Sequence, residues 1–267
     1  MYKQSRIKVI KSSLQNSRWK DYYCDYDYDN WKPPISRINW IKTQIGDATN
    51  KSILDVGCGA HPVTESIVAK EKVGLDISLK AAEKVEDHFD KLYIADLNYL
   101  RRNYCEELLG KFDYVIAGET LEHFENIQEI IYKLKWFLKP EGKLIITYPN
   151  HYSLSMYIDY FIHGLKYKRY KDFMEGHFTF FNLNQLRFIF DSACLGIEKF
   201  DYRACDIIKE KFPNEDNSSW RKLVKIDPSL LAHQFFFTLK PESEHKCFGK
   251  RFQVVIRNGV RTVKMDI

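Results

Sequence analysis

From residue 50 to residue 150, short apolar runs alternate with segments of helical spacing. Ser52–Val56 (SILDV), Lys72–Asp76 (KVGLD), Lys91–Ala95 (KLYIA), Phe112–Ala117 (FDYVIA) and Lys143–Tyr148 (KLIITY) read as buried strands. Between them the pattern predicts helices over Pro62–Lys70, with proline in the first turn, and over Leu79–His88, capped by Ser78. Ile127–Leu138 carries Ile127, Ile130, Ile131, Leu134, Phe137 and Leu138 on one side, and Pro140-Glu141-Gly142 reads as a turn. Strands alternating with helices predict an α/β fold, a parallel sheet with helices on both faces. Ile35–Ile45 adds a helix before this block, stopped by Gly46. Leu183–Cys194 adds another after it, followed by strands at Ile197–Tyr202 and Gln234–Leu239.

Three stretches break the rhythm. Residues 1–35 read as irregular, and Tyr22–Asp29 alternates aromatic and acidic residues before Trp31 and Pro33-Pro34, as in a loop that orders against something. Residues 151–181 are rich in Tyr, Phe, Lys and His, and Ile207–Asp227 is polar. In the tail, Arg251–Met265 forms two alternating runs around Asn258-Gly259, a hairpin signal. The expected organisation is an N-terminal lid or helical segment over 1–50 and a main domain over 51–241 with an insert at 151–181. A C-terminal extension follows at 242–267.

Composition narrows this little. The 267 residues are 45% hydrophobic and 29% charged, with 12 Gly and 8 Pro, which excludes collagen-like and wholly disordered chains. The net charge of +5 is uneven. Residues 1–50 carry nine basic and five acidic side chains, 51–150 thirteen and seventeen, and 151–267 nineteen and fourteen. An acidic middle between basic flanks suits anionic substrates or surfaces met by the flanks, but the excess is too small to require nucleic acid. No two of the six cysteines stand at a CxxC spacing, so no metal site is expected. Met1–Ile10 lacks the apolar core of a secretory signal and no run approaches the roughly 20 apolar residues of a membrane span, so a reducing cytoplasm is expected.

The candidate chemistry begins at Ile53-Leu-Asp-Val-Gly-Cys-Gly59. A strand runs into a glycine turn, where Gly57 and Gly59 let the backbone bend and a ligand approach. Asp55, just before the turn, suits a cationic group better than a pyrophosphate. Ala60-His61-Pro62 stands where a dinucleotide site places its third glycine. This acid-first pattern resembles motif I of the class I S-adenosylmethionine-dependent methyltransferases. Asp76 ends the second strand, 19 residues after Gly57, where a carboxylate can accept from both ribose hydroxyls. Asp96 ends the third strand, and the fourth runs into Gly118-Glu119-Thr120-Leu121-Glu122-His123, much like the family's post-strand motif.

The resemblance implies a Rossmann-like three-layer sandwich of seven mostly parallel strands in the order 3-2-1-4-5-7-6, with the last antiparallel and an insert after the fifth. It implies S-adenosyl-L-methionine as cofactor, held by Asp55, Gly57, Cys58, Gly59, Asp76, Ile77, Asp96, Leu97, Glu119 and Thr120. Asp96 would accept from the adenine amino group, with Leu97 on the ring.

Methyl transfer to oxygen or nitrogen can use a general base, and histidine suits that task. His177, before the late helix, is the first candidate and His151, just past the fifth strand, the second; His123 reads equally as a packing residue. The run Lys166–Lys171 (KYKRYK) could contact an anionic acceptor or RNA, or lie solvated. Leu154–Leu165 is apolar, as in core packing, a lid or a helix making peripheral membrane contact. The expected activity is methylation of a small-molecule acceptor, with O-methylation of a saccharide or a lipid- or nucleotide-linked metabolite favoured. An RNA methyltransferase and a non-catalytic donor-binding scaffold are the rivals; the Asp/Asn-Pro-Pro-aromatic motif of amino-methylating nucleic-acid enzymes is absent from the chain.

Overall fold

A computed structural model describes residues 6–25, 32–163, 176–204, 227–243, 252–257 and 260–265. The central strands are β2 (Ala48–Val56), β3 (Ala69–Asp76), β4 (Lys91–Ile94), β5 (Phe112–Gly118) and β6 (Leu138–Pro149). They follow a short N-terminal strand, β1 (Ile7–Val9), and precede β7 (Leu195–Ala204) and β8 (Ala232–Pro241). The sheet order is β1-β4-β3-β2-β5-β6-β8-β7, with β8 antiparallel to both neighbours and the other pairs parallel. The expected order and antiparallel last strand are therefore met, within an eight-stranded rather than a seven-stranded sheet.

The extra strand corrects the reading of residues 1–35 as irregular. Ile7, Lys8 and Val9 pair in parallel with Leu92, Tyr93 and Ile94. The Arg6 guanidinium donates to the Phe89 carbonyl at 3.0 Å, and the Leu92 N–H donates to the Arg6 carbonyl at 3.0 Å. Three residues are too few for alternation to register, and it is the exposed edge of β4 that orders them. Two short helices follow, α1 (Lys11–Leu14) and α2 (Lys20–Asp25); the rest of the Tyr/Asp-rich stretch lies outside the described residues.

The second correction is the helix expected over Pro62–Lys70. The chain makes turns there, Glu65 N–H to Pro62 carbonyl and Ile67 N–H to Thr64 carbonyl, and β3 already begins at Ala69. Val63, Thr64, Ile67 and Val68 are β-branched, which disfavours helix, and the Thr64 hydroxyl is held by Asp55. The expected turn at Pro140-Glu141-Gly142 lies within β6 as an irregularity, where Phe112 pairs with Leu138 and Tyr114 with Lys143.

The remaining helices form as their patterns predict. Helix α3 (Ile35–Ile45) ends at Gly46, which has φ +63°. The Ser78 hydroxyl caps α4 (Leu79–Val85) by accepting from the Ala81 N–H at 3.2 Å. Asn126 caps α5 (Ile127–Phe137), whose Ile127, Ile130, Ile131, Leu134 and Phe137 are buried. Each such side chain contributes roughly 2 kcal/mol by leaving water. Helices α3 and α4 lie on one face of the sheet. On the other lie α5 and α7 (Leu183–Ser192), the latter opened by a capping box between Asn182 and Gln185.

Helix α6 (Leu154–His163) departs from core packing. Met156 is buried, but Phe161 is 91% exposed and Ile162 66%, with Tyr157 and Ile158 also exposed. The basic run 166–171 lies outside the described residues, as does most of the polar stretch 207–227. Helix α8 (Pro228–Leu231) leads into β8. The tail forms its own antiparallel pair, β9 (Phe252–Arg257) and β10 (Val260–Met265), while the Asn258-Gly259 turn lies outside the described residues. Among the described residues, Cys58, Cys105 and Cys194 are free and buried, and no helix is long and apolar enough to cross a membrane.

At the sheet's amino-terminal edge, Asp113 ties three strands together. Its Oδ2 accepts from the Ser52 N–H and hydroxyl, each at 2.9 Å, and from Lys139 Nζ at 2.6 Å. Burial alone would raise its pKa, but the Lys139 ammonium and the Ser52 donors outweigh it and hold it at about 2. A carboxyl depressed in the fold stabilises above its unfolded value and loses that contribution as pH falls through the folded one. Asp113→Ala is therefore expected to lose about 1–2 kcal/mol in urea denaturation at pH 7, with the deficit fading between roughly pH 4 and 2.

Candidate functional site

The carboxyl ends of β2, β3, β4 and β5 open onto one cavity. Gly57 and Gly59, at φ +68° and +55°, turn the chain out of β2, and the Gly57 N–H donates to the Leu75 carbonyl at 2.7 Å. Asp76 is fixed by this turn: Oδ2 accepts from the Gly59 N–H and Oδ1 from the Ser78 N–H, both at 2.8 Å. Burial raises its pKa, and those N–H bonds oppose the rise. The remaining lone pairs can accept from hydroxyls in the cavity.

Asp55 is buried and accepts from the Thr64 hydroxyl at 2.7 Å. Burial pushes its pKa up to about 6 against that bond. Asp96 Oδ1 accepts from both the backbone N–H and the side-chain amide of Asn98, at 2.9 and 3.0 Å. Its Oδ2 is buried and has no hydrogen-bond partner among the described residues. All ten residues expected to hold a cofactor line this cavity: Asp55, Gly57, Cys58, Gly59, Asp76, Ile77, Asp96, Leu97, Glu119 and Thr120. An unsatisfied buried acceptor, a ready ribose acceptor and a glycine cradle fit an adenosine ligand. Burial drives the Cys58 thiol well above its ordinary pKa, so it lines the wall as an inert group.

Glu119 takes φ +55°, rare for a side-chain-bearing residue, and lies 3.4 Å from Arg37 of α3. Burial lowers the Arg37 pKa, and Glu119 and Glu122 oppose that. Glu122 is pushed well above the carboxylate range by burial and by Glu119. Arg37 is fully buried and also lines the cavity. Sequence reasoning missed it, although a signal was there: Arg37 stands on the α3 stripe of Ile41 and Ile45, where an arginine needs a buried partner.

Three histidines gather at the other end. His177 and His123 line the cavity; His151 lies behind, with its Nε2 3.2 Å from His177 Nδ1. His123 donates through Nδ1 to the Gly176 carbonyl at 2.8 Å, which fixes its tautomer. Burial lowers all three pKa values, His151 to about 4 and His177 to about 3, with neighbouring imidazoles adding to the shift in those two. The chain returns to this point because the Phe178 and Thr179 N–H groups donate to the Glu122 carbonyl. Glu122, His123 and His177 thereby bring ligand atoms within 4.8 Å of one another. Cysteine spacing, the basis for expecting no metal site, could not register this group. Trp19, Tyr22 and Tyr23 close the cavity from the N-terminal segment, with the Trp19 ring 4.3 Å from that of Phe178.

A family model described as a methyltransferase domain matches residues 27–195, covering the glycine turn, all four acidic strand ends and the three histidines. The chain belongs to this methyltransferase family. The expectation of an S-adenosylmethionine-dependent methyltransferase with the class I fold is met. Among curated relatives, the methyltransferase is 24% identical over 148 residues to the ubiquinone biosynthesis O-methyltransferase of Acinetobacter baylyi, 54% of this chain and 62% of that one. It is 29% identical over 133 residues to the Haemophilus ducreyi protein of the same name, 46% of this chain and 55% of that one. The matches thus span less than two thirds of either relative. A solved S-adenosylmethionine-dependent methyltransferase from Archaeoglobus fulgidus superposes with a TM-score of 0.51 at 19% identity, over 76% of this methyltransferase and 94% of that chain.

Proposed function

We propose that this chain methylates an oxygen of a small-molecule acceptor, with S-adenosylmethionine as donor, in the cytoplasm. The observation that carries the reading is a single cavity joining the glycine turn to the histidine cluster. Bound donor supplies an electrophilic methyl group on a sulfonium. Asp76 holds the ribose and Asp96 Oδ2 the adenine amino group. Arg37 offers a buried cation to the donor's carboxylate and Asp55 an anion to its ammonium. Trp19, Tyr22, Tyr23 and Phe178 exclude water from the reacting end. His177 accepts the acceptor's hydroxyl proton, and His151 orients its ring.

The relatives' names support oxygen as the acceptor atom. The RNA alternative rests on the basic run 166–171, outside the described residues, and nothing in the cavity favours it. A saccharide or a lipid- or nucleotide-linked metabolite remains the acceptor class of this proposal.

Calorimetry with S-adenosylhomocysteine tests the donor half. Micromolar binding is expected for the intact protein. Asp76→Ala removes the ribose acceptor and frees the Gly59 N–H, and is expected to weaken binding by roughly 100-fold. An intact protein that does not bind sinks the proposal, and one that binds without turning over any acceptor sinks its catalytic half.

A further inference from the structure

Helix α5 turns one charged side chain inward. Lys133 is buried among Ile130, Leu134 and Phe137. Its Nζ donates to the Leu97 carbonyl at 2.9 Å and the Asn98 carbonyl at 2.7 Å, and pairs with Glu129 at 2.7 Å. These three partners take all three ammonium hydrogens. Removing an ammonium from water is costly, so the arrangement stands only because every hydrogen is used.

The two carbonyls belong to the loop that carries Asp96. From the N-terminal segment, the Ser13 hydroxyl accepts from the Asp96 N–H at 3.2 Å and donates to the Ile10 carbonyl at 2.8 Å. The loop is thus held by both α5 and the N-terminal segment. Inside it, Asn98 saturates Asp96 Oδ1, while the buried Oδ2 of this cavity-lining residue is left without a partner among the described residues.

We propose that Lys133 is a positioning residue for donor selectivity: by clamping the Leu97 and Asn98 carbonyls, it fixes Asp96 Oδ2 where it accepts from an amino group and repels a carbonyl oxygen. The inference rests on the reading that the cavity takes S-adenosylmethionine. A loop released from α5 lets Asp96 turn toward water, so the adenine amino group loses its partner. A 6-oxo base, which never had that partner, loses little.

The test is calorimetry on the full chain with S-adenosylhomocysteine and its 6-oxo analogue, S-inosylhomocysteine. The intact protein is expected to prefer the amino ligand by roughly 100-fold or more. Lys133→Met is expected to weaken S-adenosylhomocysteine by roughly tenfold and the 6-oxo ligand by less than about threefold, and Lys133→Arg to restore most of the preference. A general loosening of the fold would weaken both ligands alike, and that result, or an unchanged preference in Lys133→Met, overturns the inference. If Lys133→Met does not fold, Lys133→Gln, which keeps a donor for one carbonyl, must lower the preference, and an unchanged value overturns the inference again. An intact protein that binds both ligands equally overturns this inference alone. One that binds neither overturns the donor reading as well.

Discussion

Gly57→Val is expected to abolish measurable binding of S-adenosylhomocysteine, a loss of roughly 100-fold or more. Two penalties coincide at this position. At φ +68° a side-chain-bearing residue is strained by about 1 kcal/mol, and a β-branched one by more. A Cβ at Gly57 would also lie 2.7 Å from Thr120 Oγ1 and closer still to its Cγ2. Thr120 cannot simply rotate away, because its hydroxyl donates to the Val56 carbonyl at 3.1 Å and the residue is buried. The strain relaxes by moving the turn, which carries the Gly59 N–H away from Asp76. Gly110→Ala is the control: its φ is +62°, nothing lies within 4 Å of the added Cβ, and it precedes the far end of β5. It is expected to cost about 1 kcal/mol of stability and leave donor affinity unchanged. Equal affinity in Gly57→Val and the intact protein would mean that the turn does not face the ligand.

The strand-end half of this cavity was legible because its information is local. A strand, two glycines and an acid fall within seven residues, and three further acids mark the ends of successive strands. Each depends only on the chain's immediate path, and the sheet order brings them together. The parts that were not legible depend on distant contacts. Arg37 reaches the cavity because α3 crosses the sheet toward Glu119, some eighty residues on. Ile7–Val9 becomes a strand only because β4 offers an open edge. The 62–70 helix failed for the converse reason: its proline and apolar spacing fit a helix locally, yet pairing of β3 from Ala69 onward and the Thr64–Asp55 bond claim the segment. His177 and His151 were singled out separately, but their contact follows from the Glu122 carbonyl capturing the Phe178 and Thr179 N–H groups. The 3.2 Å approach of the two rings is a property of that crossing and of no motif.

That contact decides how the second large effect should look. His177→Ala is expected to lower kcat by roughly 100- to 1,000-fold with donor affinity within about twofold of the intact protein. His177 Nδ1 lies 3.2 Å from His151 Nε2, and the Pro149 backbone favours a proton on His151. Its pKa of about 3 keeps the ring neutral, able to accept a hydroxyl proton, throughout the working range. A ring so reluctant to charge acts only when another positive charge disappears. In the proposed reaction His177 would stay unprotonated beside a cationic donor and would take up the hydroxyl proton as the methyl group leaves the sulfonium for oxygen. The cavity then holds the same net charge before and after transfer. The pH dependence follows with a definite sign. Neither His177 nor His151 titrates between pH 5 and 8, so kcat should be flat there. Asp55, near 6, is protonated below that value and loses its hold on an ammonium group, so donor KM should rise as pH falls through about 6, approaching tenfold per pH unit. A step in kcat near pH 6.5 would contradict the neutral cluster, and unchanged turnover in His177→Ala would remove His177 as the base.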